Sequence, residues 1–308
     1  KDKAEIRRLR NAICGFFIFR LDCTGRLLYN YKKTNREATR VKNLIINIYK
    51  TLFFFDLSIV IAYYLPSVKA KNAAVSNLWR EGVFFTVMLI FTLLFKTAVE
   101  HNRLKIFNTA NKFRHYSIGL ITGITPLALT VLPLFIIRTL RFSGINRPGN
   151  TLIWLAAIFM NTLATELLLR GYLFRLYRKY YGFAPVAVII TFLFLSMNPG
   201  IFKGGIIYAA NMLLGNFVLC LLAEYTRSLL APFTAHFVYN ALSSLVFGSL
   251  SLFDEKPHLL KLTLSGSRLL SGGDMKLEGC IIMLICQSLL CVFFILRLKK
   301  RGHNMRRA

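Results

Sequence analysis

Acid is scarce in this sequence. Asp and Glu together number 13 in 308 residues against 40 Lys and Arg, a formal charge of +27. Yet 55% of the chain is apolar, Phe alone reaches 27, and the mean hydropathy is +0.52. A soluble fold does not pair so heavy an apolar load with so few acids, and a disordered chain lacks that load altogether. A free nucleic-acid binder gathers its charge on one folded face; here it is spread over the chain, so nucleic acid is not expected as a partner. What remains is a polytopic membrane protein with its basic residues in loops. Cysteine is sparse as well. Cys14, Cys23, Cys220, Cys280, Cys286 and Cys291 make no CxxC pair, which argues against a disulfide framework or a zinc ribbon; four fall in apolar runs, where Cys acts as a small hydrophobe. A cleavable signal peptide is not expected, since KDKAEIRRLR is charged and the ICGFFIF that follows is short. The chain starts on Lys1 rather than Met, which leaves the true N-terminus open.

A membrane helix needs about 20 mostly apolar residues. Eight stretches qualify or nearly do: 44–65, 82–99, 117–137, 151–169, 185–198, 205–223, 229–250 and 280–296. The expectation is an all-α bundle of about eight transmembrane helices. It divides into a basic arm at 1–43, a membrane domain at 44–297 and a basic tail at 298–308. With the N-terminus in the cytoplasm, 28 of the Lys and Arg fall in inner segments and 11 in outer loops. That bias puts both termini of an integral membrane protein inside, with arm and tail against anionic headgroups of membrane lipids.

Ionisable groups inside apolar stretches are costly and point to function. Asp56 with Lys50 reads as a partly buried pair in the first span. Three other segments carry more. ATELLLRGYLF sets Glu166 and Arg170 at i, i+4, on one helix face where they can pair. FLFLSMNPG ends an apolar run on Asn198, with Pro and Gly behind it to break the helix. LLAPFTAHFVYNAL sets His236 and Asn240 at i, i+4, and His236 is the one histidine of five inside an expected span. The pattern GYLFRLYRKYYG carries the fourth helix on to a turn near Gly182. Glu166 and Asn198 lie 16 residues to either side of Gly182. Both are then about 24 Å along their helices, at one depth. Counted from Arg227, His236 and Asn240 are about 13 and 20 Å along, so all four polar groups can share one cavity.

In this order and spacing the three segments resemble the CPBP family. That family includes the type II CAAX prenyl endopeptidases and bacterial relatives linked to bacteriocin processing or self-immunity. Its first motif, a Glu pair, three residues and Arg-Gly, is similar to Thr165-Glu166-Leu-Leu-Leu-Arg170-Gly171. Its second, Phe, three residues and His, is similar to Phe194-Leu-Ser-Met-Asn198. Its last, His, three residues and Asn, is similar to His236-Phe-Val-Tyr-Asn240, approached through Leu229-Leu230-Ala231-Pro232. The likeness covers about 151–250. It implies an intramembrane endopeptidase acting on a membrane-associated or lipidated peptide, with water activated by a glutamate and a His/Asn oxyanion hole, and with no cofactor. The resemblance gives water activation to the first Glu and the middle His, and here those positions hold Thr165 and Asn198. Thr165, Glu166, Arg170, Asn198, His236 and Asn240 are therefore the candidate catalytic residues, with Glu166 as base. The alternative is a pseudoprotease kept as a binding or self-immunity module. A transporter or lipid-modifying enzyme with a midplane site is a third reading, which lacks an inverted repeat. Metal catalysis is not expected, since the sequence has no HExxH and few N/O ligands.

Overall fold

The structure, a computed structural model, describes residues 41–65, 68, 70–99, 111–198, 200–249 and 257–307. Most of the expected arm at 1–43 and Pro199 lie outside the described residues. Two compact units divide at Leu52 and Phe53. Helix α1, Val41–Tyr64, runs through that division. Val41–Leu52 is the described part of the first unit, and everything below concerns the second.

Among the described residues, six helical spans are long and apolar enough to cross a membrane. They are α1; α2, Ala73–Leu94, with its π-helical extension Phe95–Val99; α3, Lys112–Ile136; α4, Thr151–Glu166, running on through a π turn at Leu167–Leu173 into α5, Phe174–Arg178; α7, Ile206–Thr226; and the last span, Gly273–Arg301, built mainly of α10, Ile281–Arg307. The fifth and seventh expected spans are helical but short. Helix α6, Phe183–Met197, has 15 residues, and α8, Leu230–Ala241, has 12 before a π turn at Leu242–Val246. The expected count of eight is thus six full spans and two shorter helices. The bundle makes this an integral membrane protein. Helix α10 continues through the basic tail to Arg307 with no break at 298. Asp56 is exposed on α1.

The span α4–α5 is the most enclosed of the six. All seven residues of its π turn are buried, and Tyr172 there meets the rings of Phe54 and Phe95 at centroid distances of 4.4 and 5.5 Å. Around it α2 packs on α4, α8 on both α3 and α4, and α10 on α7 and α3. The α3–α8 contact is a close one. Gly119 and Gly123, one turn apart, lie so near α8 that a Cβ on either would sit 2.5 Å from the carbonyl of Ala231 or Ala235. Small residues facing each other let two backbones meet where no aqueous hydrophobic effect draws them together.

One element has no counterpart among the sequence expectations. Strand β1, Leu140–Ile145, pairs antiparallel with β2, Leu260–Leu264, with a register shift between Phe142 and Gly144 where Gly144 takes φ +151°. Both segments are too short and too polar in alternation for a hydropathy scan to notice. The ribbon fixes the loop after α3 to the loop after α8, and Leu140 packs with Leu134 and Leu277.

Candidate active site

Glu166 closes α4 where the helix widens into its π turn. Within that turn Arg170 reaches back, and its Nη1 donates to Glu166 Oε1 at 2.9 Å. The guanidinium also spans to α7. Its Nη2 donates to the backbone oxygen of Asn216 at 2.9 Å, makes a short bond to Asn216 Oδ1, and lies 3.7 Å from Cys220 Sγ. Asn216 in turn donates to Thr191 Oγ1 of α6 at 3.1 Å. Both charges are buried, Glu166 at 0% and Arg170 at 2% exposure. Such a pair persists only if most of its donors and acceptors are met, and the α7 contacts supply what the carboxylate does not. π turns of this kind often mark functional sites, because the widened ladder aims side chains that a regular helix would turn aside.

The same Oε1 has a second partner. His236, brought by α8, places Nδ1 at 2.8 Å from it. Helix α8 starts cleanly because Pro232 sits in its first turn, where a missing N–H costs little. Ser228 Oγ accepts from the Leu230 N–H at 3.1 Å. The glycine face of α3 then fixes how deep α8 lies. Four residues on from His236, Asn240 donates to Thr162 Oγ1 of α4 at 3.2 Å, and Asn240's own carbonyl accepts from Ser244. Glu166, Arg170 and His236 therefore form one connected group.

Thr165 and Asn198 are placed differently. Thr165 Oγ donates to the Asn161 carbonyl at 2.9 Å. Asn198 caps its own helix, its amide donating to the Phe194 carbonyl at 2.9 Å. Neither makes a described bond to Glu166 or His236. They face a cavity of ≈ 670 Å³ whose wall includes Thr165, Asn198, His236 and Asn240. Glu166 and Arg170 do not border it; they stand behind His236. Glu166 Oε2 has no hydrogen-bond partner among the described residues.

Two carboxylates on the cavity wall escaped the sequence reading. Glu81 of α2 accepts from Asn161 Nδ2 at 2.8 Å and from Arg80 Nε at 3.2 Å. Glu278, just before α10, accepts from Tyr239 at 3.3 Å and from Ser243 through a short bond. Both sit one or two residues outside an expected span start, 82 and 280, because a hydropathy window trims charged residues from helix ends. Among the described residues no three His, Cys, Asp or Glu side chains cluster as a metal would need.

Residues 147–242 match the family described as Rce1-like, type II CAAX prenyl endopeptidase. No curated protein matches the chain significantly. The matched stretch carries Thr165, Asn198, His236 and Asn240 of the cavity wall and Glu166 and Arg170 behind it. Over that stretch the match supports assignment to the CPBP family and the fold of a CAAX-type intramembrane protease.

Proposed function

We propose that the protein is an intramembrane endopeptidase of the CAAX-processing type, acting on a membrane-associated or lipidated peptide, without a metal or cofactor. The observation that carries this reading is the 2.8 Å contact of His236 Nδ1 with Glu166 at the edge of the cavity. An ionised Glu166 keeps the proton on Nδ1, which leaves Nε2 as the acceptor for a proton from water. The water oxygen bonds to the peptide carbonyl carbon as its proton passes to Nε2. That proton then goes to the leaving amine as the C–N bond breaks. Asn240, on the same face as His236, donates to the oxyanion. Glu166 acts through His236 rather than on water directly, because it does not border the cavity. Arg170 holds the carboxylate in place. Ile59, Phe84 and Leu290 on the wall suit an apolar chain on the substrate.

The test uses purified protein in lipid nanodiscs and a prenylated peptide. Cleavage is expected, and His236→Ala and Glu166→Ala are each expected to slow it by about 10²-fold or more. Equal rates in all three proteins would end this reading. A second reading, the inert binding or self-immunity module, has its own support: the hydroxyl hydrogen of Thr165 is spent on Asn161, and the Asn198 amide caps its own helix. An inactive parent that gains turnover on Thr165→Glu with Asn198→His selects that reading.

The orientation belongs to the same proposal. Both termini lie in the cytoplasm, supported by the charge bias. The β ribbon is consistent with the order of the spans, since it joins two loops that this order puts on one face.

A further inference from the structure

Glu81 is a carboxylate on the cavity wall that the hydrolytic scheme above does not use. It comes from α2, and its side chain is enclosed to all but 7%. Two described residues hold it: Asn161 Nδ2 donates to Oε2 at 2.8 Å, and Arg80 Nε donates to Oε1 at 3.2 Å. A carboxylate offers about four acceptor positions, so these two donors leave Glu81 able to accept more.

Its place relative to His236 follows from α4. His236 meets Glu166, and Asn240 meets Thr162 four residues back, so α8 runs opposite to α4. Asn161, which holds Glu81, is the neighbour of Thr162 in the chain. Glu81 therefore stands at the level of Asn240, one helical turn or about 6 Å from the level of His236. Asn161 and Thr165 border the cavity as well, with the Thr165 hydroxyl tied to the Asn161 carbonyl. A peptide extended along this wall rises about 3.3 Å per residue. A carbonyl carbon beside His236 then brings an N–H one or two residues away level with Glu81.

The chemistry selects an N–H. A peptide drawn into a bundle within the lipid layer loses water from its backbone, and each N–H needs an acceptor in exchange. Arg80 already pairs with Glu81, which disfavours a second full cation there and leaves a neutral donor as the better fit. We infer that Glu81 is a substrate-binding residue whose carboxylate accepts from a backbone N–H of the peptide, one or two residues from the scissile carbonyl. This rests on the protease reading and narrows it to substrates that are extended, with that N–H free, beside the cut.

The full chain in lipid nanodiscs is given a prenylated peptide and analogues N-methylated at one backbone position each. One analogue, methylated within two residues of the cleaved bond, is expected to show a KM about tenfold higher, with kcat little changed. Glu81→Gln keeps an oxygen for Asn161 and turns a donor toward the cavity. It is expected to raise the KM of the parent peptide by a similar factor and to abolish the difference between parent and analogue. If no position matters, or if the penalty of methylation is the same in Glu81→Gln, the assignment is overturned. A lowered melting temperature with that penalty intact would mark Glu81 as a link between α2 and α4 and nothing more. Should Glu81→Gln not fold, Glu81→Asp, which keeps the charge but draws it back from the cavity, is expected to shrink the same difference. Peptide affinities for His236→Ala, by fluorescence anisotropy, are expected to follow the same pattern. They decide the role of Glu81 even where nothing is cleaved, an outcome that ends the protease reading alone.

Discussion

Removing Arg170 would leave Glu166 as a buried charge with only an imidazole beside it. Breaking a buried pair from one side costs about 3–5 kcal/mol, more than the pair gains over an apolar substitute. Arg170→Ala is therefore expected to lower the unfolding free energy in detergent by about that amount. Arg170→Met together with Glu166→Leu, which removes both charges, is expected to lose much less. Thermal melts of the three proteins check this, and equal losses would show that the pair has no special weight. At this scale much of the site was legible beforehand. The i, i+4 spacings announced Glu166 with Arg170 and His236 with Asn240, and spacing about Gly182 put them at one depth. Their division of labour was not legible. That Glu166 stands behind His236, out of reach of the cavity, depends on how α8 is rotated, and sequence spacing does not contain that angle. Glu81 and Glu278 were hidden for a different reason: a rule that expels charge from membrane helices also expels the carboxylates that face a wet interior.

Among elements, the α3–α8 pair sets the geometry of the imidazole. The carbonyls of Ala231 and Ala235 rest against Gly119 and Gly123, so α8 has no room to move toward α3. Gly123→Leu is expected to push the helices apart at a cost of about 2 kcal/mol or more, with a lower melting temperature. It is also expected to reduce any cleavage by as much as His236→Ala does, although residue 123 carries no chemistry. Full activity in that variant would show that the helix contact does not position His236. Neither glycine entered the sequence reading, because a Gly inside an apolar run is as common at lipid-facing positions as at helix contacts.

For the whole molecule, the apolar runs gave the helices and the charge bias gave an orientation, while length separated full spans from short ones. The ribbon was illegible, since its pairing partners lie more than a hundred residues apart. It nonetheless supplies a test of topology. A cysteine at Ser143, in a background with the native cysteines replaced, is expected to react with an impermeant reagent only from the non-cytoplasmic side, and one at Asn304 only from the cytoplasmic side. Labelling of both from one face would overturn the arrangement.

The π turn at Leu167–Leu173 has a consequence for how this chain tolerates length changes. Glu166 lies before it and Arg175 and Arg178 lie after it, and the turn between them holds more residues than a regular helical turn would. Deleting a single leucine there would leave the helix continuous and apolar, yet rotate Arg175 and Arg178 by about 100° relative to Glu166. A change that no hydropathy plot would register would turn the end of the span away from the partners it now meets.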